Sequence, residues 1–283
     1  MLNAIYRFLD DLKLYSLAIF IVISRFIPDS LLRLVFKLIA IFWFFIDKKR
    51  KDAIKNNLRI ILNDFDNKMV FKTFENYMLN FADFIKVKYK SCSQILEKLS
   101  LENIEVFENV YKIKKKVILL SGHIGNWEYA LNLISCLGYN VMVIIEMIDP
   151  RWLKLLNELR SSKGARLVLM NEIMEIIRFL NSGEGILIVT PDRLVGTSYI
   201  ECSLFNHKRK IPAGIFKINE KFKIPMVFAY VIRGNGKYLG IVQDVYYEEN
   251  MTFEKMLDFY LRNLERTLRK YPSHWFSFDF NWD

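Results

Sequence analysis

Two apolar stretches separated by a polar break open the chain. Residues 14–24 and 38–46 carry no charged side chain, and Pro28-Asp29-Ser30 lies between them. A proline followed by Asp and Ser is typical of a helix start, so the pattern predicts two helices. Each charge-free run is shorter than the about 20 apolar residues of a membrane-spanning helix. Helices in the membrane interface, or a shallow hairpin, are therefore as compatible with the pattern as a span, and two helices of a soluble core are the alternative.

A basic cluster follows these stretches, and the pattern then becomes helical. Residues 47–51 (DKKRK) lie beside the second apolar stretch, as in segments that face anionic lipid. We therefore divide the chain into an N-terminal membrane-associating segment, 1–46, and a domain over 47–283. Within residues 72–90 apolar side chains recur every three or four positions, which predicts a helix with one buried face.

From residue 115 onwards, short β-type runs alternate with helical patterns. The predicted strands cover residues 117–120, 141–145, 166–169, 186–189, 225–232 and 238–245. The predicted helices cover residues 127–137, 151–162, 172–181 and 252–270. Gly234-Asn235-Gly236 predicts a turn between the last two strands. This order predicts an α/β fold with a mixed central sheet flanked by helices.

The composition favours contact with lipid over contact with nucleic acid. Hydrophobic residues make up 52% of the 283 residues, whereas soluble domains are usually about 45–50% apolar. The chain has 41 basic and 31 acidic residues, a net charge of +10, which suits anionic lipid or nucleic acid. The sequence contains no zinc-finger spacing, recognition-helix framework or RNA-binding aromatic motif, so we expect no nucleic-acid partner.

The cysteines Cys92, Cys136 and Cys202 are few, odd in number and far apart. This spacing is neither that of a disulfide framework nor that of a zinc site. We therefore expect three buried thiols in a reducing compartment. The sequence shows no metal-ligand cluster, and we expect neither a metal nor another cofactor.

The candidate chemistry lies in residues 121–128 (SGHIGNWE), between a predicted strand and a predicted helix. In α/β sheets, ligands bind at the loops that follow the carboxyl ends of strands. The pKa of a free histidine lies near neutrality, so His123 can accept a proton from a hydroxyl. Glu128 is predicted to bond the other ring nitrogen and to orient the imidazole. The sequence contains no Gly-x-Ser-x-Gly motif, so we expect the nucleophile to be a hydroxyl of the substrate.

The same segment resembles the His-x-x-x-x-Asp/Glu motif of glycerolipid acyltransferases and, more narrowly, the bacterial lipid A biosynthesis acyltransferases. Further blocks that resemble this family follow in order along the chain. They are Lys49-Arg50-Lys51 with Asn57-Leu58, Arg160 with Gly164, Thr190-Pro191-Asp192-Arg193 with Phe205 and Gly214, and Tyr271-Pro272 with Trp275-Phe276. Residues 204–207 and 277–282 depart from the pattern, because a glycine and a basic stretch are usual there.

The resemblance implies an O-acyltransferase that moves a fatty acyl chain from acyl carrier protein, or from coenzyme A, to a hydroxyl. The acceptor would be a lipid A precursor or a related glycolipid. The resemblance also implies a place on the cytoplasmic face of the inner membrane. Its partners would be acyl carrier protein, the acceptor lipid and that membrane, with no cofactor besides the acyl donor.

Substrate-binding candidates surround the proposed catalytic pair. Glycine lets the backbone approach a bulky thioester, and arginine suits a phosphate or a carboxylate. Asp192 could bond the acceptor hydroxyl, orient Arg160 or cap the turn. The basic run 208–210 is predicted to lie on a loop, where it could bind phosphates or an acidic carrier, or be solvated. The candidates are Gly125, Asn126, Arg160, Asp192, Arg193, Lys208 and Arg209.

Other functions also fit these residues. One is an acyltransferase for a glycerophospholipid or a mannoside lipid. Another is a non-catalytic basic membrane-binding module, whose lipid binding would not depend on His123 or Glu128. A third is a hydrolase, which would release free fatty acid when no acceptor is present.

Overall fold

The computed structural model describes residues 2–195, 198–234 and 236–282. Its helices are α1 (Leu2–Ser24), α2 (Asp29–Ile46), α3 (Lys48–Leu62), α4 (Asn67–Val87), α5 (Cys92–Leu96), α6 (Ile104–Lys114), α7 (Trp127–Cys136), α8 (Pro150–Arg160), α9 (Ile173–Asn181), α10 (Gly214–Phe222), α11 (Phe253–Lys270) and a short 3₁₀ helix (Pro272–His274). Its strands are β1 (Leu99–Glu102), β2 (Lys116–Leu120), β3 (Val141–Ile145), β4 (Arg166–Leu169), β5 (Gly185–Val189), β6 (Tyr199–Leu204), β7 (His207–Pro212), β8 (Met226–Gly234) and β9 (Lys237–Tyr246).

One mixed sheet forms the centre of the fold, in the order β1-β9-β8-β2-β5-β3-β4. All neighbouring pairs run parallel except β8 and β9, which are antiparallel. Every residue of β2 and of β5 is buried, which is typical of central parallel strands covered on both faces. The carboxyl ends of these two neighbours lie at the same edge, where the loops 121–126 and 190–195 begin. The predicted α/β architecture is confirmed.

Several elements were not predicted by the apolar pattern. The strands β1, β6 and β7 and the helices α5, α6 and α10 are short or polar. The basic run 208–210, predicted to be a loop, lies in β7, which pairs with β6 in a separate antiparallel hairpin. The loop prediction was wrong because a polar strand outside the main sheet lacks the apolar run of a buried strand. The predicted turn at Asn235 falls outside the described residues.

The N-terminal helices pack on one side and are exposed on the other. Leu32, Phe36 and Ala40 of α2 are buried, and Phe36 packs in one cluster with Ile21 of α1 and Phe84 of α4. The opposite faces of α1, α2 and their connection expose Leu12, Tyr15, Ile19, Val22, Ile23, Phe26, Leu31, Leu34, Leu38, Ile39, Ile41, Phe42, Phe45 and Ile46. Over the ranges described above, none of the helices is both long and apolar enough to span a bilayer.

Two of the three cysteines form a disulfide, so the prediction of three separate thiols was wrong. Cys92 at the start of α5 is bonded to Cys136 at the end of α7, with the two Cα atoms 5.2 Å apart. The two cysteines are 44 residues apart in sequence. Their proximity could not be predicted from that spacing, because it arises from the packing of α5 on α7. Cys202 is a free, half-buried thiol, and burial raises its pKa to about 11.

Candidate active site

The loop that carries His123, residues 121–126, is held by the C-terminal segment. The N–H of Gly125 donates to the carbonyl of His274 over 2.8 Å. In return, the N–H of Phe276 donates to the carbonyl of His123 over 2.9 Å. Backbone bonds at His123 and at Gly125 therefore fix the position from which the His123 side chain projects.

Gly125 is required both by its backbone conformation and by the close approach of β8. Its φ is +57°, and a Cβ added there would lie 2.0 Å from the carbonyl oxygen of Val231. A side chain would therefore push the loop away from β8. The carbonyl of Gly125 also accepts a hydrogen bond of 2.7 Å from the side-chain amide of Asn80 in α4. These contacts give Gly125 a role in shaping the loop, and its contact with substrate stays a prediction.

Asn126 caps α7 and also faces the site. Its Oδ1 accepts a hydrogen bond of 3.2 Å from the N–H of Tyr129, as the side chain of a helix N-cap does. The other end of the amide, Nδ2, is buried and has no partner among the described residues. Asn126 also lines a cavity beside His123. This N–H group is therefore a donor that a bound substrate could use.

His123 forms a close pair with Asp192. The ring nitrogen Nδ1 lies 2.7 Å from Oδ1 of Asp192, and the backbone N–H of His123 donates to Oδ2 over 2.8 Å. Asp192 follows β5, and His123 follows β2, so the adjacency of these two strands brings the residues together. A neutral imidazole that donates its Nδ1 proton to Asp192 presents Nε2 as the basic nitrogen.

The Asp192 carboxylate is fully buried, and it is kept ionised by its neighbours. Burial alone would raise its pKa, but the charge and the hydrogen bonds of His123 and the Trp275 indole outweigh burial and lower the pKa. The indole N–H donates to Oδ2 over 2.9 Å. The buried charge therefore stabilises an imidazolium and fixes the ring orientation.

Glu128 pairs with Arg160 instead of His123. Arg160 donates from Nε to Oε2 over 2.9 Å and from Nη2 to Oε1 over 2.5 Å, a two-bond contact between α7 and α8. Burial by itself would lower the pKa of Arg160, but the charge and the hydrogen bonds of Glu128, together with nearby Glu146 and Tyr77, outweigh it and raise that pKa. Our prediction that Glu128 orients His123 is corrected accordingly, because the first turn of α7 directs this carboxylate towards α8.

A cavity of about 600 Å³ adjoins these groups. Its charged or titratable lining includes His123, Glu128, Glu146, Arg160 and Arg193. Its apolar lining includes Phe81, Phe84, Phe107, Leu131, Ile134, Val143, Ile188 and Ile215. A mostly apolar cavity with a few polar groups at one end is suited to an amphipathic ligand.

The remaining charged candidates lie in different environments. Arg193 lines the cavity, and its Nη2 is 4.0 Å from Oε2 of Glu146. Lys208 is not among the cavity residues, and its exposed ammonium pairs with Glu201 over 3.2 Å. The contact of Arg193 with substrate stays a prediction, whereas Lys208 belongs to the surface of the β6–β7 hairpin.

Arg209 is buried beneath the Asp192 loop. Its Nη2 donates over 2.9 Å to the carbonyl of Asp192 and over 2.9 Å to the hydroxyl of Ser277. The guanidinium carbon lies 4.9 Å from the ring centre of Trp275 and 4.6 Å from that of Trp282. The prediction that Arg209 binds a substrate phosphate was wrong, because strand β7 turns this side chain into the interior, where it supports the Asp192 loop.

The sequence named Asp192 as a binding residue but not as the partner of His123. A carboxylate directly after a buried strand was visible, yet the adjacency of β5 and β2 was not. Tyr77 was also missed as a site residue, because its place in an apolar stripe of α4 suggested core packing. It lines the cavity, and its ring packs against Trp127 and Phe276.

The chain matches the model of the bacterial lipid A biosynthesis acyltransferase family over residues 6–282. The protein belongs to this family. The resemblance noted in its sequence motifs is thereby confirmed, and family membership supports acyl transfer to a lipid. Among curated proteins, no match is found.

One solved structure with a similar chain is that of the 1-acyl-sn-glycerophosphate acyltransferase PlsC from Thermotoga maritima. The two chains are 11% identical, and the alignment covers 85% of this chain and 98% of PlsC with a TM-score of 0.36.

Proposed function

We propose that this protein transfers a fatty acyl chain from an acyl thioester to a hydroxyl of a lipid A precursor or a related glycolipid. The donor is an acyl carrier protein thioester, with coenzyme A as the other candidate. His123 acts as the general base, and Asp192 orients it. The observation that carries this proposal is the hydrogen-bonded His123–Asp192 pair beside an apolar cavity, in a chain of an acyltransferase family.

The transfer proceeds by addition and elimination at the thioester carbonyl. Nε2 of His123 takes the proton of the acceptor hydroxyl while the hydroxyl oxygen attacks the carbonyl carbon. The carbonyl electrons move onto its oxygen, and they return as the carbon–sulfur bond breaks and the thiolate leaves. The imidazolium gives its proton to that thiolate, so the products are an ester, a free thiol and neutral His123. Asp192 stabilises the imidazolium between the two proton transfers.

Two donors from residues that line the same cavity as His123 are available for the oxyanion that forms in this step. Arg160 uses Nε and Nη2 to bind Glu128, which leaves Nη1 for a substrate oxygen. The side-chain Nδ2 of Asn126 has no partner among the described residues. Preorganised donors of this kind are an effective way to stabilise developing negative charge. In this proposal the Glu128–Arg160 pair positions substrate, and Glu128 does not touch the base.

The acyl chain and the membrane occupy the two apolar surfaces of the molecule. The cavity lining supports a place for the fatty acyl chain beside His123. The apolar side chains exposed on α1 and α2, followed by four basic residues at 48–51, support attachment to an anionic membrane surface. We place the protein on the cytoplasmic face of the inner membrane, where carrier protein and acceptor lipid would meet.

The experiment is an acyl transfer assay with purified protein, labelled acyl carrier protein or acyl coenzyme A, and a panel of acceptors. The panel contains a lipid A precursor, a mannoside lipid and a lysophospholipid. We expect His123→Ala to fold and bind membranes but to lose about 10²- to 10⁴-fold in transfer rate, the usual contribution of a general base. Near-complete activity in this variant would contradict the mechanism.

The same assay separates the other functions. Transfer to the mannoside lipid or the lysophospholipid alone would reassign the acceptor. Release of free fatty acid without any acceptor would indicate a hydrolase. Vesicle binding with no transfer to any acceptor, and with no effect of His123→Ala, would indicate a non-catalytic module.

A further inference from the structure

A second cleft lies between α2, α4 and the end of β8, and it shares no lining residue with the cavity beside His123. Its volume is about 570 Å³. Its lining residues are Ser30, Arg33, Leu34, Lys37, Lys72, Glu75, Leu79, Arg233 and Gly236. The proposed acyl transfer uses none of them.

Two arginines of this cleft are held by one buried carboxylate. Nη2 of Arg33 lies 3.1 Å from Oδ1 of Asp83, and Nε of Arg233 lies 3.6 Å from Oδ2. Nε of Arg33 is buried and has no hydrogen-bond partner among the described residues. Asp83 therefore fixes both side chains in place but can neutralise only one of the two positive charges.

Two lysines share a second carboxylate at the same cleft. Lys72 lies 2.6 Å and Lys37 3.5 Å from opposite oxygens of Glu75. Both lysine side chains are more than half exposed, at 54% and 52%. The four basic groups and two carboxylates leave two positive charges in excess, with the lysines free to turn towards an anion.

The cations of this cleft also lower the pKa of His274, a partly buried residue nearby. Its pKa is lowered to about 4, first by burial and then by Lys72 and Arg233. Its Nδ1 is buried without a hydrogen-bond partner among the described residues. Two cations of the cleft, Lys72 and Arg233, thus also act on a group that does not line it.

The rim of the cleft is apolar where α2 faces away from the core. Leu34 lines the cleft, and it is half exposed together with Leu31 and Leu38 of the same helix. A cationic hollow bordered by exposed leucines fits a molecule that carries an anionic head and hydrocarbon chains.

We propose that this cleft binds the phosphate of an anionic membrane lipid, with the lipid chains lying along Leu34 and its exposed neighbours. The site would anchor α2 to one lipid and would add preference for anionic lipid to the apolar contact of α1 and α2. The inference rests on the proposed membrane contact of these helices, but it is independent of acyl transfer.

The test is vesicle sedimentation of the full chain and of its K37Q/K72Q variant. One set of vesicles consists of phosphatidylcholine alone. The second set is a mixture of phosphatidylcholine and phosphatidylglycerol. A basic residue close to an anionic surface contributes about fivefold in affinity. We therefore expect the variant to bind the phosphatidylglycerol vesicles about thirtyfold more weakly and to bind the phosphatidylcholine vesicles unchanged.

A matched control removes the same charge elsewhere. Lys221 of α10 and Lys255 of α11 are exposed and do not line the cleft, and Lys255 is paired with Glu248 over 2.8 Å as Lys72 is with Glu75. K221Q/K255Q is expected to bind phosphatidylglycerol vesicles nearly as the unaltered protein does. An equal loss in both double variants would assign the effect to net charge and would overturn the site.

Two further outcomes would also overturn it. If K37Q/K72Q keeps full affinity for phosphatidylglycerol vesicles, the cleft does not bind lipid. If calorimetric titration shows binding of inorganic phosphate that K37Q/K72Q loses while vesicle binding stays unchanged, the ligand is a soluble phosphate. If the unaltered protein binds neither set of vesicles, the proposed membrane contact of α1 and α2 is contradicted as well. The acyl transfer assay tests the catalytic proposal separately from this result.

Discussion

Single residues around His123 divide into those that act on its ring and those that shape its surroundings. Asp192 bonds Nδ1 of the imidazole, and the Trp275 indole bonds the same carboxylate from the other side. Glu128, which is nearer to His123 in sequence than Asp192 is, accepts its hydrogen bonds from Arg160. Because each acidic group has a different partner, substitutions at the two positions should change different steps.

Asp192→Asn preserves the shape of the side chain but removes the charge that stabilises the imidazolium. We expect kcat to fall by about 10³- to 10⁴-fold, because an amide partner also favours the wrong tautomer of the ring. Glu128→Gln keeps a hydrogen bond to Arg160 and should raise KM more than it lowers kcat. Steady-state kinetics of both variants tests this, and a larger kcat loss for Glu128→Gln would restore Glu128 as the orienting residue.

Gly125→Ala tests the close approach between the His123 loop and β8. The new Cβ would lie 2.0 Å from the carbonyl oxygen of Val231, at a φ of +57°. Gly138 is a matched control, because its φ is +88° and nothing lies within 4 Å of the added carbon. Gly138→Ala should cost about 1–2 kcal/mol of backbone strain, and Gly125→Ala should cost about 1–3 kcal/mol more from overpacking. Urea unfolding measures both, and equal losses would contradict the close contact.

His274 makes stability depend on pH. Its pKa is about 4 in the folded chain against an ordinary value of 6.5, since burial and two nearby cations oppose protonation. Between these values the unfolded chain binds more protons, so the free energy of unfolding falls as the pH decreases from 6.5 to 4. The loss is about 3 kcal/mol at the lower end. Urea unfolding across this range should show a shallower decline for His274→Gln, and an unchanged slope would contradict the prediction.

At the scale of secondary-structure elements, α7 links several parts of the site. Asn126 caps its N-terminus, Glu128 lies in its first turn, and it ends at Cys136, which is bonded to Cys92 of α5. The loop before it is held by a hydrogen bond from Asn80 in α4. The position of this one helix therefore affects the catalytic loop, the Arg160 pair and the covalent crosslink together.

The Cys92–Cys136 bond should stabilise the fold measurably. It closes a segment of 44 residues, and restriction of the unfolded chain by a loop of this length is worth about 4 kcal/mol. We expect C92A/C136A to lower Tm, and a reductant to lower the Tm of the unaltered protein but not of this variant. Cys202→Ala is the control. Alkylation and mass spectrometry that find three free thiols would contradict the bond.

At the scale of the whole molecule, the chain presents two apolar surfaces. One is the cavity beside His123, and the other is the exposed face of α1 and α2. An exposed apolar face of this extent is unusual for a protein surrounded only by water. The proposed catalysis on a lipid acceptor would require both surfaces, since the helices would hold the molecule at the membrane and the cavity would receive the acyl chain.

Removal of exposed phenylalanines from α2 should weaken membrane attachment without unfolding the protein. F42S/F45S removes two side chains that are 65% and 72% exposed. Insertion of such side chains into lipid is worth up to about 3–6 kcal/mol for the pair. The change should appear in sedimentation with phosphatidylcholine vesicles. I113S/M174S, which alters exposed apolar residues of α6 and α9, should leave binding unchanged, and equal losses would contradict the role of α2.

The pattern of apolar residues by itself determined most of the central sheet. The strands β3 and β4 were predicted with their observed ends, and β2, β5, β8 and β9 to within two residues, because buried strands are continuous apolar runs. The hairpin β6–β7 was not predicted, since its polar strands lie outside that sheet. The motif around His123 also identified the family and the strand–loop–helix arrangement of the candidate site, because a strand, a glycine-containing loop and a helix are local features of the chain.

Only the tertiary structure decided which side chains meet. The order of strands in the sheet placed Asp192 beside His123, although the two residues are 69 positions apart in sequence. The packing of α7 on α8 brought Glu128 into contact with Arg160. The packing of α5 on α7 joined Cys92 to Cys136, and the packing of α2 on α4 beside the end of β8 gathered four cations at the second cleft. Local sequence sets the backbone conformation and the buried face of each element. Contacts between distant residues depend on how those faces are packed together, and spacing along the chain does not encode that packing.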